Sequence, residues 1–161
     1  MLENLETAGF KKKFRQLGVS LKLNKPVELE QNLIIKLVSN DADAKMWAEI
    51  YPKAFKYKIS EETLINTFKD ISYYLAYYQN QPVGTAIVFQ TNKVSGIHGV
   101  GVIPEMRKRS FAEQIMKYLI NMAVEDDSEY VTLQASDMGK NIYLKLGFEE
   151  QFVIKNYFLQ R

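Results

Sequence analysis

The chain has 161 residues, 47% apolar and 25% charged, with no cysteine, one histidine and one tryptophan. This is ordinary globular composition, too rich in apolar residues for a disordered chain, and the length suits one domain of roughly 100–200 residues. Zero cysteine excludes disulfides, thiolate metal sites and a cysteine nucleophile. A net charge of +2 is too small to point to nucleic acid. The local cluster Lys11, Lys12, Lys13 and Arg15 reads as a solvated face near the terminus. The first residues, Met-Leu-Glu-Asn-Leu-Glu, are acidic and lack an apolar run, which predicts no signal peptide. The most apolar stretch, Val83 to Phe89, falls far short of the roughly 20 residues of a membrane helix. A soluble cytoplasmic protein is expected, with no membrane partner, nucleic-acid partner or metal.

Residues 1–30 form an N-terminal extension with a pattern of its own. Phe10, Phe14 and Leu17 have helical spacing and Gly18 offers a stop. Val19, Leu21 and Leu23 then alternate with polar residues as a half-buried strand does, until Asn24-Lys25-Pro26 breaks it. From residue 31 a longer pattern runs to the end. Leu33 to Val38 is a strand. Ser39-Asn40-Asp41 caps a helix over Ala44 to Tyr51, which Pro52 disturbs. Ser60-Glu61-Glu62-Thr63 opens a second helix through Leu64, Phe68 and Ile71. Tyr73 to Tyr78, Val83 to Gln90 and Val94 to Ile103 are successive strands, and Pro104 ends the last. Ala112 to Val124 is amphipathic, with Ile115, Met116, Leu119, Ile120 and Ala123 on one face. A strand over Tyr130 to Gln134, a short helix over about Met138 to Leu146 and a closing strand over Phe152 to Leu159 follow. The class is α/β in the broad sense, more narrowly α+β, with an antiparallel meander flanked by helices.

Two segments carry chemistry. In Val102-Ile103-Pro104-Glu105-Met106-Arg107-Lys108-Arg109-Ser110-Phe111-Ala112, a strand ends at a proline, a basic loop follows and a helix begins. Free N–H groups and the positive dipole end of a helix favour an anion, and small residues let a phosphate approach the backbone. In Ile142-Tyr143-Leu144-Lys145-Leu146-Gly147-Phe148, a helix carries a tyrosine one turn before its glycine stop. Its hydroxyl is either a packing group or a proton donor to developing negative charge.

Together these segments resemble the GNAT superfamily of acyl-CoA-dependent N-acetyltransferases. Its pyrophosphate loop reads Arg or Gln, two residues, Gly, one residue, then Gly or Ala. Here Arg107, Ser110 and Ala112 take those positions, after a Val-x-Pro-Glu lead-in at Val102, Pro104 and Glu105. The second motif, a tyrosine four residues before Gly-Phe, matches Tyr143 and Gly147-Phe148. The resemblance covers residues 31–161 and departs at Ser110, where the family has glycine. A glycine-only conformation there would count against serine.

The resemblance implies a GNAT-like mixed, mostly antiparallel central sheet that takes acetyl-CoA as co-substrate between splayed strands. It implies that Val100, Gly101 and Val102 hold the pantetheine arm, and that an N–H near Val102 or Ile103 polarises the thioester carbonyl. By the same resemblance, Arg107, Lys108, Arg109, Ser110, Phe111 and Ala112 are expected to hold the pyrophosphate, Ser136 to join the cofactor set, and Tyr143 to protonate the leaving thiolate. The resemblance further implies an amine acceptor, of a small molecule or a peptide, attacking directly. Family members often place a base on the strand before the loop. His98 sits there, four residues before Val102 and so on the same face of a regular strand. Glu61 and Glu62 are weaker bases. Tyr51, Phe55, Tyr57, Tyr73 and Tyr74 are expected around the acceptor or in the core. The alternative is a GNAT-fold module that binds CoA or another ligand without catalysis.

Gly9-Phe10-Lys11-Lys12-Lys13-Phe14 echoes Gly147-Phe148-Glu149-Glu150-Gln151-Phe152. Residues 1–23 thus resemble the tail of a second such unit, a remnant of a tandem arrangement. On that reading residues 10–23 are extended. Edge pairing or a homodimer contact is the other role expected of them.

Overall fold

The computed structural model describes residues 2–30 and 32–159. In chain order the elements are α1 (Leu2–Thr7), β1 (Phe10–Lys22), β2 (Ile34–Leu37), α2 (Asp41–Phe55), α3 (Glu61–Thr67), β3 (Ser72–Tyr78), β4 (Gln81–Thr91), β5 (Val94–Val102), α4 (Phe111–Glu125), β6 (Tyr130–Ala135), α5 (Lys140–Lys145) and β7 (Glu149–Leu159). A single 3₁₀ turn, Pro104–Met106, precedes α4. The chain divides into two compact units. One spans Lys22–Val131; the other combines the chain up to Leu21 with the chain from Thr132.

In the larger unit the strand order is β2-β3-β4-β5, and all three pairs are antiparallel. Gln79 and Asn80 both have positive φ in the β3–β4 turn, which matches the right-handed twist of a tight hairpin. Thr85 pairs with Gly101 and Gly84 with Val102. Residues paired across the ladder share a face, and neighbours along a strand point to opposite faces. A Cβ on Gly101 would meet Phe55 and Ala54 of α2, whereas one on Gly84 would lie 3.1 Å from Ile115 of α4. So α2 covers the Thr85–Gly101 face and α4 covers the Gly84–Val102 face.

Helix α2 starts where Asn40 accepts a hydrogen bond from the Asp43 N–H at 2.9 Å. It runs through Pro52 instead of ending there, and closes at Lys56, which is left-handed and donates its N–H to the Pro52 carbonyl at 2.9 Å. A proline inside a helix costs about 3 kcal/mol. Burial of Trp47, Ile50 and Tyr51, at about 1.5–3 kcal/mol for an aliphatic side chain and more for large rings, outweighs it. Trp47 stacks on Tyr51 at 4.5 Å and meets the edge of Tyr73 at 5.3 Å.

In the smaller unit the order is β6-β1-β7. Residues 10–22 form a strand and not the helix that Phe10, Phe14 and Leu17 suggest. The reason is β7, which pairs antiparallel with β1 from Phe10↔Leu159 to Ser20↔Glu149. The two Gly-Phe segments occupy equivalent places. Each follows a six-residue helix, has its glycine at positive φ (Gly9 86°, Gly147 92°), and opens one of the two paired strands. Phe152 lies over Gly18, where any Cβ would collide with its ring. No helix among the described residues is long and apolar enough to cross a membrane, and no cluster of metal-ligating side chains occurs among them.

Candidate active site

Strand β5 is the scaffold of the site in the larger unit. Ile87 pairs with His98 and Thr85 with Gly101, so Gly99 and Val100 together oppose Ala86. This is a β-bulge, and Gly99 supplies the positive φ of 56° that it uses. A Cβ at Gly99 would press on Ile87 and Tyr51, each at 3.1 Å. The extra residue shifts the alternation by one. His98 therefore shares its face with Gly101 and not with Val102, which corrects the expectation from four-residue spacing.

On that face His98 lines a cavity of about 690 Å³ with Lys58, Ile59, Ser60, Thr63, Ile71, Tyr73, Ile87 and Phe89. Gly96, on the same face, leaves space for the imidazole: its Cβ would lie 3.2 Å from Nε2. Partial burial pushes the His98 pKa below its ordinary value, because desolvation disfavours the cation. Glu61 and Glu62 follow Ser60 on α3, exposed and outside this lining. Of the five aromatic residues expected near the acceptor, only Tyr73 lines the cavity. Tyr51 stacks on Phe55 at 4.6 Å and shares a hydroxyl contact with Tyr57, and Tyr74 faces Tyr118 of α4 at 6.2 Å.

The end of β5 fixes which amides are free. The Ile103 N–H donates to the Val83 carbonyl at 2.9 Å, so Ile103 is not an available donor. Antiparallel ladders alternate bonded and non-bonded pairs. The next pair, Gly84↔Val102, is therefore non-bonded, and the Val102 N–H and carbonyl point away from β4. Arg107 takes that carbonyl: its Nε donates to Val102 O at 3.2 Å, and its Nη2 to Ala54 O at 3.4 Å. The Arg107 backbone N–H donates to Pro104 O at 3.3 Å. Arg107 thus serves the loop's shape, a role that the sequence did not signal.

Lys108 and Ser110 both have positive φ, 61° and 58°. Ser110 precedes α4 and gives it no side-chain cap. Its left-handed backbone is the conformation that glycine adopts without cost. The 15-residue α4 presents its first turn beside the exposed side chains of Lys108 and Arg109. The Arg109 guanidinium lies 6.0 Å above the Tyr78 ring, which packs on Phe111 at 4.9 Å. Positive side chains, a turned loop and the positive end of a helix dipole fit a pyrophosphate.

In the smaller unit, Tyr143 sits on α5, its ring edge-on to Phe148 at 5.9 Å. Burial pushes its pKa up, so the phenol stays protonated at neutral pH. A Cβ on Gly139 would lie 3.6 Å from the Tyr143 hydroxyl and 3.5 Å from Ser136 Oγ. Ser136 Oγ accepts from the Gly139 N–H at 3.2 Å.

The family model of the GNAT acetyltransferase domain matches residues 38–156. The chain belongs to the GNAT acetyltransferase family. Solved GNAT structures share its fold. A GCN5-related N-acetyltransferase from Kribbella flavida superposes with a TM-score of 0.75 at 18% identity, over 98% of this chain and 62% of its own. One from Sphaerobacter thermophilus gives 0.80 at 18% identity, over 97% and 54%. A predicted acetyltransferase with acetyl-CoA from Clostridium acetobutylicum gives 0.60 at 18% identity, over 74% and 91%. This GNAT chain therefore spans little more than half the length of the first two. No curated protein sequence matches it. The α+β arrangement of helices on a largely antiparallel sheet is the GNAT fold, as expected.

Proposed function

We propose that this chain transfers an acetyl group from acetyl-CoA directly to a primary amine. One observation carries the reading. Strand β5 presents, within five residues, an imidazole facing a cavity and a backbone N–H that its neighbour β4 leaves unused. Bound acetyl-CoA supplies an activated thioester.

The chain's residues divide the remaining work. Lys108, Arg109 and the first turn of α4 hold the pyrophosphate. Val100, Gly101 and Val102 line the pantetheine arm, and the Val102 N–H donates to the carbonyl oxygen as charge develops there. An alkyl amine with a pKa near that of lysine, ~10.4, is mostly protonated at pH 7. His98, whose partial burial lowers its pKa, takes its proton. Tyr143 gives a proton to the departing thiolate.

Two measurements test this. Acetyl-CoA at 100 times its Kd raises stability by about 2.7 kcal/mol, read as an increase in Tm. A panel of amines with acetyl-CoA releases free thiol. An increase in Tm without thiol release from any amine would favour a binding module, the reading that the strained Ser110 permits.

A further inference from the structure

The cavity beside His98 has a composition that selects among amines. Its walls are mostly apolar, with Ile71, Ile87 and Phe89 prominent, and among the described lining residues Lys58 is the one lysine, arginine or carboxylate. Among the described residues, no aspartate or glutamate lines it. A cavity that receives polyamines or other polycations needs carboxylates to offset their charge. Here Lys58 belongs to the lining instead. It repels a second cation and complements an anion. A mostly apolar lining with one cationic residue suits a small amphipathic ligand, and the volume of about 690 Å³ lies within the range of small-molecule sites.

We propose that this cavity takes an α-amino acid with an apolar side chain, its amine toward His98, its carboxylate paired with Lys58 and its side chain against Ile71, Ile87 and Phe89. The assignment of the amine as acetyl acceptor rests on the function proposed above; the occupancy of the cavity rests on its lining. An α-amine also loses its proton more readily than a lysine side chain, which lightens the task given to His98.

The experiment compares phenylalanine, phenylalaninamide and spermidine on the full chain. Binding is read by calorimetry without acetyl-CoA, and thiol release is read with it. Phenylalanine is expected to bind at least tenfold more tightly than its amide, and spermidine not at all. Lys58→Glu, on an exposed side chain, should weaken phenylalanine at least tenfold and erase or reverse its advantage over the amide. Phe89→Ser, at a half-exposed ring, should weaken phenylalanine and leave spermidine unbound. Spermidine binding as tightly as phenylalanine would overturn the proposal, as would equal binding of acid and amide in both the parent and Lys58→Glu. Phenylalanine binding without thiol release would sustain the cavity's assignment and defeat acetyl transfer. Faster thiol release with spermidine would do the reverse.

Discussion

Arg107 donates from Nε to the Val102 carbonyl at 3.2 Å, and its second nitrogen reaches Ala54 O at 3.4 Å. One guanidinium thus ties the last residue of β5 to the last turn of α2. Arg107→Ala should cost about 1–2 kcal/mol and raise the KM for acetyl-CoA, because the loop after β5 loses its anchor. Arg107→Lys separates the two explanations. A lysine keeps the charge but lacks the planar fork. If Arg107 acts by shape, lysine leaves KM high; a lysine that restores KM would show that Arg107 acts on phosphate by charge.

Ser110 holds a left-handed backbone with φ 58°. A non-glycine residue there costs roughly 1–2 kcal/mol, and this serine recovers nothing through a side-chain cap. Ser110→Gly should therefore stabilise the chain by about 0.5–1 kcal/mol after the entropy of the freer unfolded chain is counted. Urea titration should show a higher midpoint at unchanged slope. Ser110→Ala should change stability by less than the ~1 kcal/mol usual for a lost cap. A stability loss in Ser110→Gly would mean that the hydroxyl makes a contact of its own.

Much of this was readable from periodicity. The apolar stripe of α4 repeats with the helical period, and the Arg107–Ala112 and Tyr143–Phe148 motifs lie in order on the expected elements. What was hidden depends on partners far away in sequence. Phe10, Phe14 and Leu17 fit a helix as well as a strand, and β7 decides between them. The face of His98 turns on one extra residue at Gly99, visible only against Ala86 of β4. The cavity gathers Lys58, Ile71, Ile87 and His98 from four segments. Nothing in the sequence shows that Arg107 also reaches Val102 O and Ala54 O, the second of them 53 residues away.

The lowered pKa of His98 predicts a pH signature. The imidazole accepts a proton only when neutral, so kcat/KM should fall as pH drops through a value below the usual ~6.5. His98→Gln should lower kcat/KM about 10²-fold and remove that limb. Stability should follow the same sign. The unfolded chain takes up the proton near 6.5 and the folded chain only at lower pH, so stability declines as pH falls from 6.5 through the folded value. Thermal melts from pH 8 to 5 on the parent and His98→Gln check it. Parallel curves would show that the native imidazole titrates as it does in the unfolded chain.

Tyr143 offers two complementary changes. Its ring packs edge-on against Phe148, a contact that Tyr143→Phe keeps. Losing only the hydroxyl should lower kcat by at least tenfold, toward the 10²-fold typical of a lost general acid, with the KM for acetyl-CoA unchanged. Gly139→Ala makes the opposite change. Its Cβ would sit 3.1 Å from Tyr143 Cε2, closer than ordinary packing, so the ring must shift while the hydroxyl survives. A lowered kcat in both variants fits a phenol that must be present and held in place. Full activity in Tyr143→Phe, with chemistry shown to be rate-limiting, would make the tyrosine a packing residue and leave the thiolate to take its proton from water.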